Sequence, residues 1–356
     1  MYKNRINRVL TLLQSNGIEQ AIISSTESVY YLTGIWLEPH ERMLALLLTA
    51  LGEAALYTNA VFTLQSDPGI PVIYHSDSDN PVAQLAGALQ PGKIGIDKFW
   101  YSKFLMELMN QRGDLTPIDG SFAVDTCRKK KDEAERQLMR HSSVINDEVM
   151  ETAIAAISGG MTENELAGII GREYLSRGAD GEGMRLICFG ENGSDPHHEA
   201  NTTALSPGDS VTLDIFTPIN RYWCDMTRTV FYKTVSDRQR EVYELVRRAN
   251  EAAINAVKPG ILLSEIDGTA RKLITNGGFG EYFIHRLGHG CGLECHEPPD
   301  VSGACNEPLA PGMVFSVEPG IYLPDEFGVR IEDLVLVTET GCEVLNKLPK
   351  DLMVIE

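Results

Sequence analysis

Short apolar runs alternate with amphipathic stretches along the first third of the chain. The amphipathic stretches, at about residues 4–16, 80–90 and 101–112, have the spacing of helices that bury one face. The apolar runs have the length of short buried strands, and they are Ala21–Ser24, Leu44–Leu48, Ala54–Tyr57, Pro71–Tyr74 and Ile94–Asp97. This alternation predicts a separate α/β domain with its own core over residues 1–125.

A different pattern begins with the charge run Arg128–Glu135, which predicts the solvated start of a long helix ending near Ile157. Beyond it, Gly160–Gly168 recurs as Gly260–Gly268, with Gly, Glu, an aliphatic residue and Gly in matching places. Each copy is expected to begin a helix, and Thr162 with Glu165 has the spacing of a capping box.

Strand-like runs follow each copy of this echo. They are residues 211–214 and 229–232 after the first copy, and residues 313–317 and 329–338 after the second. The echo therefore predicts two similar halves, each a helix plus a hairpin, over residues 126–356. A site shared by the two halves is expected between them.

Composition and charge narrow the functional classes. The chain has 356 residues, more than one hydrophobic core usually holds, which supports two domains. Hydrophobic residues make up 43% and charged residues 23%, as in folded soluble proteins and unlike disordered or membrane chains. A formal net charge of −19 argues against a nucleic-acid partner, because phosphates require a basic surface.

Targeting features are not recognisable. Residues 1–6 lack the apolar segment of a secretory signal, and no run of about 18 apolar residues occurs, so no membrane partner is expected. Seven cysteines are scattered rather than arranged as a disulfide framework, and they are interpreted as reduced thiols. These features predict a cytoplasmic protein.

Four acidic residues occupy strand-like settings in the second region, where burial of an unpaired charge is costly. They are Asp214, Asp225, Glu318 and Glu332, each beside a run of apolar or β-branched residues. A buried carboxylate without compensation either costs several kcal/mol or takes up a proton, so cations are expected nearby. Five of the eight histidines fall in the same region: His197, His198, His285, His289 and His296.

Two sources of positive charge are possible. Arg228 and Arg330 each lie close in sequence to one of the acids, and each would neutralise a single carboxylate. For four acids together with His289, divalent metal ions explain the pattern better. Such an oxygen-rich ligand set favours Mn, Fe, Co or Zn, and two ions that share a water generate a nucleophile at neutral pH. The residues by themselves thus predict a two-metal hydrolase.

Three longer segments carry a family resemblance. His289–Pro299, Gly312–Tyr322 and Gly328–Asp333 closely resemble motifs of the pita-bread metallopeptidases, in the branch of prolidase and aminopeptidase P. Pro196-His197 and the segment from Asp214 to Thr229 match the remaining motifs in order and spacing. The resemblance implies an α+β protein with a C-terminal pita-bread catalytic domain, residues 126–356, and a smaller N-terminal creatinase-like α/β domain, residues 1–125.

The resemblance also implies roles for individual residues. The metal ligands would be Asp214, Asp225, His289, Glu318 and Glu332, with Asp225 and Glu332 bridging two ions. Glu318 would also carry a proton, and His197 and His296 would contact the substrate and steady the tetrahedral intermediate. The side chains next to the ligands, which would hold them in place without binding metal themselves, would be Tyr322, Arg330 and Thr227.

The implied activity is removal of the N-terminal residue from Xaa-Pro dipeptides or from longer peptides with proline in second position, by a hydroxide that bridges the metals. Manganese is the first choice of metal, with cobalt, zinc or iron as alternatives. Relatives of this size imply a homodimer.

Two departures from the family keep other interpretations open. Phe216 stands where many members have glycine, and Asp300–Glu307 lacks the arginine with which strict dipeptidases grip a free carboxylate. Either another residue reaches the substrate or the substrate is longer. A pita-bread hydrolase or lyase acting on a small non-peptide substrate remains an alternative, as does a binding scaffold without catalysis. Cys291 and Cys295 are interpreted as small buried thiols.

Overall fold

The strands predicted in the first third of the chain all pair within one six-stranded sheet. The structure of the protein is a computed structural model that describes residues 2–356. The sheet order is β4-β3-β2-β1-β5-β6. The strands are β1 Gln20–Ile23, β2 Ala45–Thr49, β3 Ala54–Asn59, β4 Val72–His75, β5 Gly92–Ile96 and β6 Leu115–Asp119. The helices are α1 Tyr2–Ser15, α2 Thr26–Thr33, α3 Pro81–Ala88, α4 Ser102–Gln111 and α5 Ser121–Arg128.

Three of these elements were not predicted. They are α2, β6 and α5. The strand β6 contains Pro117, which argues against a strand because proline cannot donate to a ladder. It is accommodated because β6 lies at the edge of the sheet, where one side of the strand needs no partner.

The chain folds as two compact units, Met1–Arg128 and Lys129–Glu356. The second unit contains helices α6 Glu133–Ala156, α7 Glu163–Ser176, α8 Asp237–Ala256 and α9 Leu263–Asn276. Its first strands are β7 Met184–Phe189, β8 Ser210–Ile219 and β9 Tyr222–Tyr232, followed by β10 Gly288–Gly290, β11 Glu297–Val301 and β12 Val314–Val317. The last strands are β13 Gly320–Leu323, β14 Phe327–Arg330, β15 Asp333–Val337, β16 Cys342–Val344 and β17 Val354–Ile355.

These strands form three sheets. The orders are β17-β9-β8-β7, β11-β10-β12-β15-β16 and the pair β13-β14. The helices α6 and α7 pack with the first sheet around one apolar core, and α8 and α9 pack with the other two around a second core. The two predicted halves are present, each a helix pair against antiparallel strands.

The sequence echo corresponds to matching backbone hydrogen bonds. The N–H of Gly160 donates to the carbonyl of Leu205 (3.1 Å), and the N–H of Gly260 donates to that of Leu309 (2.8 Å). The helices α7 and α9 begin directly after these bonds, as predicted, and Thr162 with Glu165 forms a complete capping box. Related segments of the two halves therefore anchor their helices in the same way.

The prediction of one continuous strand-like run over residues 329–338 was wrong, because the structure has two separate strands there. The strand β14 ends at Arg330 and β15 begins at Asp333 in a different sheet. Between them, the N–H of Glu332 donates to the carbonyl of Thr227 (3.1 Å), outside the ladders of β14 and β15. The break places the Glu332 side chain against the β8–β9 hairpin instead of on the regular face of one long strand.

Helices that would span a bilayer were sought in the described part of the chain, residues 2–356, and none has the required length and apolar character.

Candidate metal centre

The β8–β9 hairpin brings two of the predicted ligands to one face of a sheet. In its antiparallel register Asp214 lies opposite Thr227, and Asp225 lies opposite Phe216. Side chains of directly opposed residues share a face, and residues two apart along a strand share it as well. Asp214, Phe216, Asp225 and Thr227 therefore form one patch, in which both carboxylates are buried.

His289, on β10, is oriented by hydrogen bonds to Ser316 and to the neighbouring backbone. Its backbone N–H donates to Ser316 Oγ (3.0 Å), and its Nδ1 lies 3.1 Å from the carbonyl oxygen of Gly290. A carbonyl only accepts, so Nδ1 carries the hydrogen. Nε2 faces Glu318 Oε1 (3.2 Å) and Asp225 Oδ2 (3.8 Å). Although burial opposes it, the hydrogen bond to Glu318 raises the pKa of His289 to about 8, so without metal a proton on Nε2 satisfies these oxygens. The neutral ring instead presents a lone pair there, which suits a bound cation.

The two predicted glutamate ligands lie just beyond strand ends. Glu318 follows β12, and its Oε1 accepts a hydrogen bond from Ser316 Oγ (3.0 Å). Glu332 lies in the break between β14 and β15, and its Oε2 accepts from Thr227 Oγ1 (2.7 Å). One oxygen of each carboxylate is thus fixed by a neighbouring hydroxyl, which orients the group.

Three carboxylate oxygens at this site are buried and have no hydrogen-bond partner among the described residues, 2–356. They are Asp214 Oδ1, Asp225 Oδ1 and Glu332 Oε1. Buried polar atoms without a partner are uncommon, because each costs about 1–3 kcal/mol and a charged atom costs more. Ligand atoms of Asp225, His289 and Glu332 also lie within 4.8 Å of one another. The donor set and the unpartnered oxygens fit divalent cations.

The protonation of these acids depends on whether cations are present. Burial, followed by the charge of Asp214, raises the pKa of Asp225 well above its ordinary value. Burial, followed by the charge of Asp225, does the same for the pKa of Glu332. Burial also raises the pKa of Asp214, although the guanidinium of Arg330 opposes the effect. Protein groups alone therefore do not keep Asp225 and Glu332 ionised.

Arg330 connects Asp214 by hydrogen bonds to Tyr322 and Thr227, the two other residues predicted to hold the ligands in place. Its Nη2 donates to Asp214 Oδ2 (2.6 Å), its Nη1 donates to the Tyr322 hydroxyl (2.9 Å), and its Nε donates to Thr227 Oγ1 (3.1 Å). Thr227 accepts from Arg330 and donates to Glu332, so one buried chain of hydrogen bonds connects two of the carboxylates.

All of the predicted ligands line one cavity of about 480 Å³. Its lining residues are Met184, Leu186, Pro196, His197, Glu199, Asp214, Phe216, Asp225, His285, Arg286, His289, Cys295, His296, Glu318, Arg330 and Glu332. Thr227 and Tyr322 are outside this lining but contact Glu332 and Arg330. The structure thus brings all ten predicted site residues together.

The histidines divide into two groups. His197 and His296 both line the cavity, and the ring of His296 packs on that of His289, with 4.0 Å between centroids. His285 also lines the cavity, and its Nε2 lies 2.8 Å from the Tyr322 hydroxyl. His198 instead pairs with the buried carboxylate of Glu163 at 2.8 Å, which is a structural contact. His285 is the histidine that flanks the site.

Comparison with known proteins places the chain in a family. Residues 137–339 match metallopeptidase family M24, and residues 5–130 match the creatinase/prolidase N-terminal domain. The chain belongs to metallopeptidase family M24. The predicted fold class and the predicted membership of the pita-bread metallopeptidases, in the branch of prolidase, are confirmed.

Relatives of this M24 peptidase match it along nearly its whole length. The putative dipeptidase YkvY of Bacillus subtilis (strain 168) is 35% identical, over 99% of this chain and 100% of that protein. The Xaa-Pro dipeptidase of Lactobacillus delbrueckii subsp. lactis is 32% identical, over 98% of each chain. The crystal structure of recombinant prolidase from Thermococcus sibiricus is similar with a TM-score of 0.93 and 32% identity, over 100% of this chain and 99% of that chain.

Cysteines of the M24 peptidase approach the site as thiols. Cys295 Sγ lies 3.4 Å from Asp225 Oδ2, and Cys291 Sγ lies 3.5 Å from the carbonyl of Trp223. Burial raises the pKa of both thiols well above the ordinary value. Protonated thiols are poor metal ligands, which agrees with the interpretation of both as small buried thiols.

Part of the cavity lining was not anticipated from the sequence. Met184 and Leu186 line the cavity from β7, where they pair with Phe216 and Asp214 of β8. Phe216, flagged from the sequence, lies on the cavity wall beside them and against Trp223 (ring centroids 6.2 Å apart). Arg286 was not singled out either. Its spacing of three residues before His289 is the feature that would have drawn attention to it.

Proposed function

We propose that this M24 peptidase hydrolyses the bond between an N-terminal residue and proline, in dipeptides or in longer peptides, with two divalent ions bound among its buried carboxylates. The observation that carries the proposal is the convergence of Asp214, Asp225, His289, Glu318 and Glu332 on one cavity, with carboxylate oxygens left without protein partners within residues 2–356. The names of the Lactobacillus delbrueckii and Thermococcus sibiricus relatives support proline specificity.

Asp214, Asp225, His289, Glu318 and Glu332 would hold the ions. Two divalent ions, when bound, would lower the pKa of a shared water and polarise the scissile carbonyl. The hydrogen bonds from Ser316 to Glu318 and from Thr227 to Glu332 would keep the two glutamates oriented for this task.

The side chains of the cavity supply the remaining steps. Glu318 lines the cavity and would carry a proton to the leaving proline nitrogen, which becomes basic as the bond breaks. His197 and His296 would donate hydrogen bonds to the carbonyl oxygen as negative charge develops on it. Met184, Leu186 and Phe216 would contact the apolar part of the substrate and exclude water.

The expectations of manganese as the metal, of a homodimer and of a cytoplasmic protein remain predictions. Each is open to direct measurement, by metal analysis of the purified protein, by its mass in solution and by cell fractionation.

A peptide panel tests the proposed function. The metal-depleted protein is supplied with Mn, Co or Zn and given a Xaa-Pro dipeptide, a Xaa-Pro-Yaa tripeptide and a matched Xaa-Ala dipeptide. We expect cleavage of at least one Xaa-Pro substrate, little cleavage of Xaa-Ala, and loss of activity when a chelator removes the metal. Failure with every peptide in the presence of each metal would contradict the proposal and favour a non-peptide substrate.

A further inference from the structure

The cavity residue His197 lies on an irregular segment, residues 190–201, whose position must be fixed from outside. The segment follows β7 and consists of a short 3₁₀ helix, Gly190–Ser194, and a loop. The backbone N–H of His197 donates to Asp195 Oδ1 (2.9 Å), which belongs to the same segment. A group that stabilises a transition state must be placed accurately, because a displacement of about 1 Å can cost about 10²-fold in rate. The placement of His197 therefore depends on what holds residues 190–201.

One buried carboxylate, that of Glu163, holds this segment. Glu163 is the first residue of α7, and its side chain has no exposed surface. Its Oε1 accepts from the backbone N–H of Phe189 (2.8 Å) and from Asn192 Nδ2 (2.9 Å). Its Oε2 accepts from His198 Nε2 (2.8 Å) and from the backbone N–H of Asn201 (3.0 Å). A carboxylate only accepts, so the hydrogen of this contact lies on His198 Nε2.

The four hydrogen bonds use the whole acceptor capacity of the Glu163 carboxylate. An ionised carboxylate offers about four lone-pair positions, and an amide offers about two. Two of the donors precede His197 in the chain and two follow it. The helix α7 packs in an apolar core, so Glu163 ties both sides of His197 to a firmly packed element.

The second of the two similar halves shows that the start of the helix does not itself require an acid. Leu263 is the first residue of α9, as Glu163 is of α7. The N–H of Glu163 donates to the carbonyl of Thr203 (3.2 Å), and that of Leu263 donates to the carbonyl of Glu307 (3.1 Å). Leu263 is equally buried, in an apolar core. Since a buried carboxylate is costly where an apolar side chain suffices, Glu163 serves the neighbouring segment and not the helix start.

The opposite side of the segment lies against β14 and the metal centre. A side chain at Gly328 of β14 would overlap the carbonyl group of Gly193, so the two backbones approach each other closely. Arg330 Nη1 lies 3.5 Å from the carbonyl oxygen of Pro196, the residue before His197. The segment is thus held between Glu163 and β14, and loss of the Glu163 contacts would leave it attached on the β14 side alone.

We propose that Glu163 is a positioning residue, which holds His197 where it donates to the carbonyl oxygen of the scissile bond. The inference rests on the proposed function, because Glu163 takes part in hydrolysis only through His197. Glu163 itself is outside the cavity lining. Negative charge on the carbonyl oxygen develops in the chemical step, so loss of this positioning should slow that step more than it weakens substrate binding.

A double-mutant cycle on cleavage of a Xaa-Pro peptide tests the proposal. Glu163→Gln keeps the shape but places an amide NH₂ against N–H donors. We expect kcat to fall about 10- to 100-fold, with KM within about twofold of the wild type. His197→Ala should lower kcat about 10²-fold or more, as for loss of an oxyanion donor. In the His197→Ala background, Glu163→Gln should lower kcat by less than about threefold, because residues that act as one unit are not additive.

A second variant perturbs the same contacts more gently. His198→Ala removes one of the four donors from the segment side and leaves the buried acid in place. It should lower kcat about 3- to 10-fold, again with little change in KM and again only when His197 is present. This variant carries the cycle if Glu163→Gln does not fold.

Hydrogen exchange of the metal-free protein provides a measurement that does not depend on turnover. In Glu163→Gln the backbone N–H groups of Phe189 and Asn201 should exchange faster, while those of the β8–β9 hairpin should exchange as in the wild type. The matched control is Glu165→Gln, two residues later on α7, where the acid caps the helix through Thr162. Glutamine also serves in a capping box, so this control should keep the kcat and the exchange rates of the wild type.

The outcomes separate the two proposals. If the wild type cleaves no Xaa-Pro peptide with any metal, the proposed function fails and the role of Glu163 fails with it. If the wild type is active and both Glu163→Gln and His198→Ala keep its kcat, the proposed function stands and the positioning role is overturned. Equal falls in kcat with and without His197 would also overturn it, since Glu163 would then act by another route.

Discussion

Glu332 and Asp333 are consecutive buried acids with opposite electrostatic surroundings. Asp333 accepts from Arg228 Nη2 (2.8 Å) on one oxygen and from Lys350 Nζ (2.7 Å) on the other, and despite its burial these partners lower the pKa of Asp333. Glu332 has one oxygen on the Thr227 hydroxyl and one with no partner among the described residues, and burial raises the pKa of Glu332 well above its ordinary value. Protein cations thus stabilise one of these neighbouring carboxylates and not the other.

The comparison shows how the basic residues of this region are distributed. From the sequence, Arg228 was a possible source of positive charge for the acids of the site. In the structure it donates to Asp333 and to the backbone carbonyls of Glu332 and Leu348. Among the four acids of the site, Arg330 reaches Asp214. Protein cations therefore satisfy Asp333 fully and Asp214 in part, and they leave Asp225 and Glu332 for another source of charge. That selective deficit is the physical basis for proposing metals at one cluster and not at the other.

Replacing an acid of the metal centre should have the largest effect on activity. Asp225→Asn and Glu332→Gln each remove a proposed bridging charge, and the loss of several kcal/mol of stabilisation corresponds to a fall in kcat/KM of about 10³-fold or more. Metal binding, measured by calorimetry, should weaken in parallel. In the absence of metal both variants should be at least as stable as the wild type, because each replaces an acid that must take up a proton when the metal-free chain folds.

The stability measurement distinguishes this explanation from simple damage to the fold. A variant that loses both activity and metal-free stability would indicate an ordinary structural acid. Full activity in either variant would contradict the assignment of the centre.

Much of this cluster was predictable, and particular residues show why. The four acids stand beside apolar or β-branched runs that the sequence displays directly, so their burial and their need for cations followed from local pattern. His289 was singled out by its glycine-rich surroundings in the same region. Whether Arg228 served Asp333 or the metal ligands was not predictable, because that choice depends on the packing of residues 105 positions apart. The break at Ile331-Glu332 was missed for a similar reason, since the local pattern favours one continuous strand.

The part of the cavity wall formed by β7 and by the segment before β10 was harder to predict. Met184 and Leu186 face the site only because of their register against β8, which no local pattern specifies. Arg286 gave no signal beyond its proximity to His289. Its salt bridge with Asp300 depends on the antiparallel pairing of β10 with β11.

Replacing the satisfied acid should instead affect stability. Asp333→Asn leaves Arg228 and Lys350 with a neutral partner in the interior, and removal of one member of a buried ion pair typically costs about 3–5 kcal/mol. Denaturant unfolding should show this loss with metal present and with metal absent. Glu326→Gln, which breaks the exposed pair with Arg238, is the matched control and should change the unfolding midpoint little. If Asp333→Asn were as stable as the wild type, the two clusters would not differ as described.

The smallest effect expected from the comparison is a pH dependence, because pH changes only protonation. Without metal, the folded chain holds protons on Asp225 and Glu332 at pH values where the unfolded chain has released them, from the ordinary pKa values of 3.8 and 4.5 up to the raised ones. Stability from these groups is present below that window and is lost as pH rises through it. Asp333 acts in the opposite sense, since its stabilising effect is lost only as pH falls through its lowered pKa.

The free energy of unfolding of the metal-free protein, measured between about pH 5 and about pH 8, therefore distinguishes the acids of the metal centre from Asp333. Asp333 stays ionised over this range, so it contributes no change. The wild type should lose more stability than Glu332→Gln as pH rises, and the difference between the two reports the protonation of Glu332 together with its coupling to Asp225. With saturating manganese, the unfolding free energy of the wild type should no longer fall with pH as it does without metal. The reason is that bound cations favour the ionised carboxylates at every pH of the range. A wild type whose metal-free stability rises with pH more steeply than that of Glu332→Gln would mean that protein groups already compensate Glu332, and the reason for placing a metal beside it would be lost.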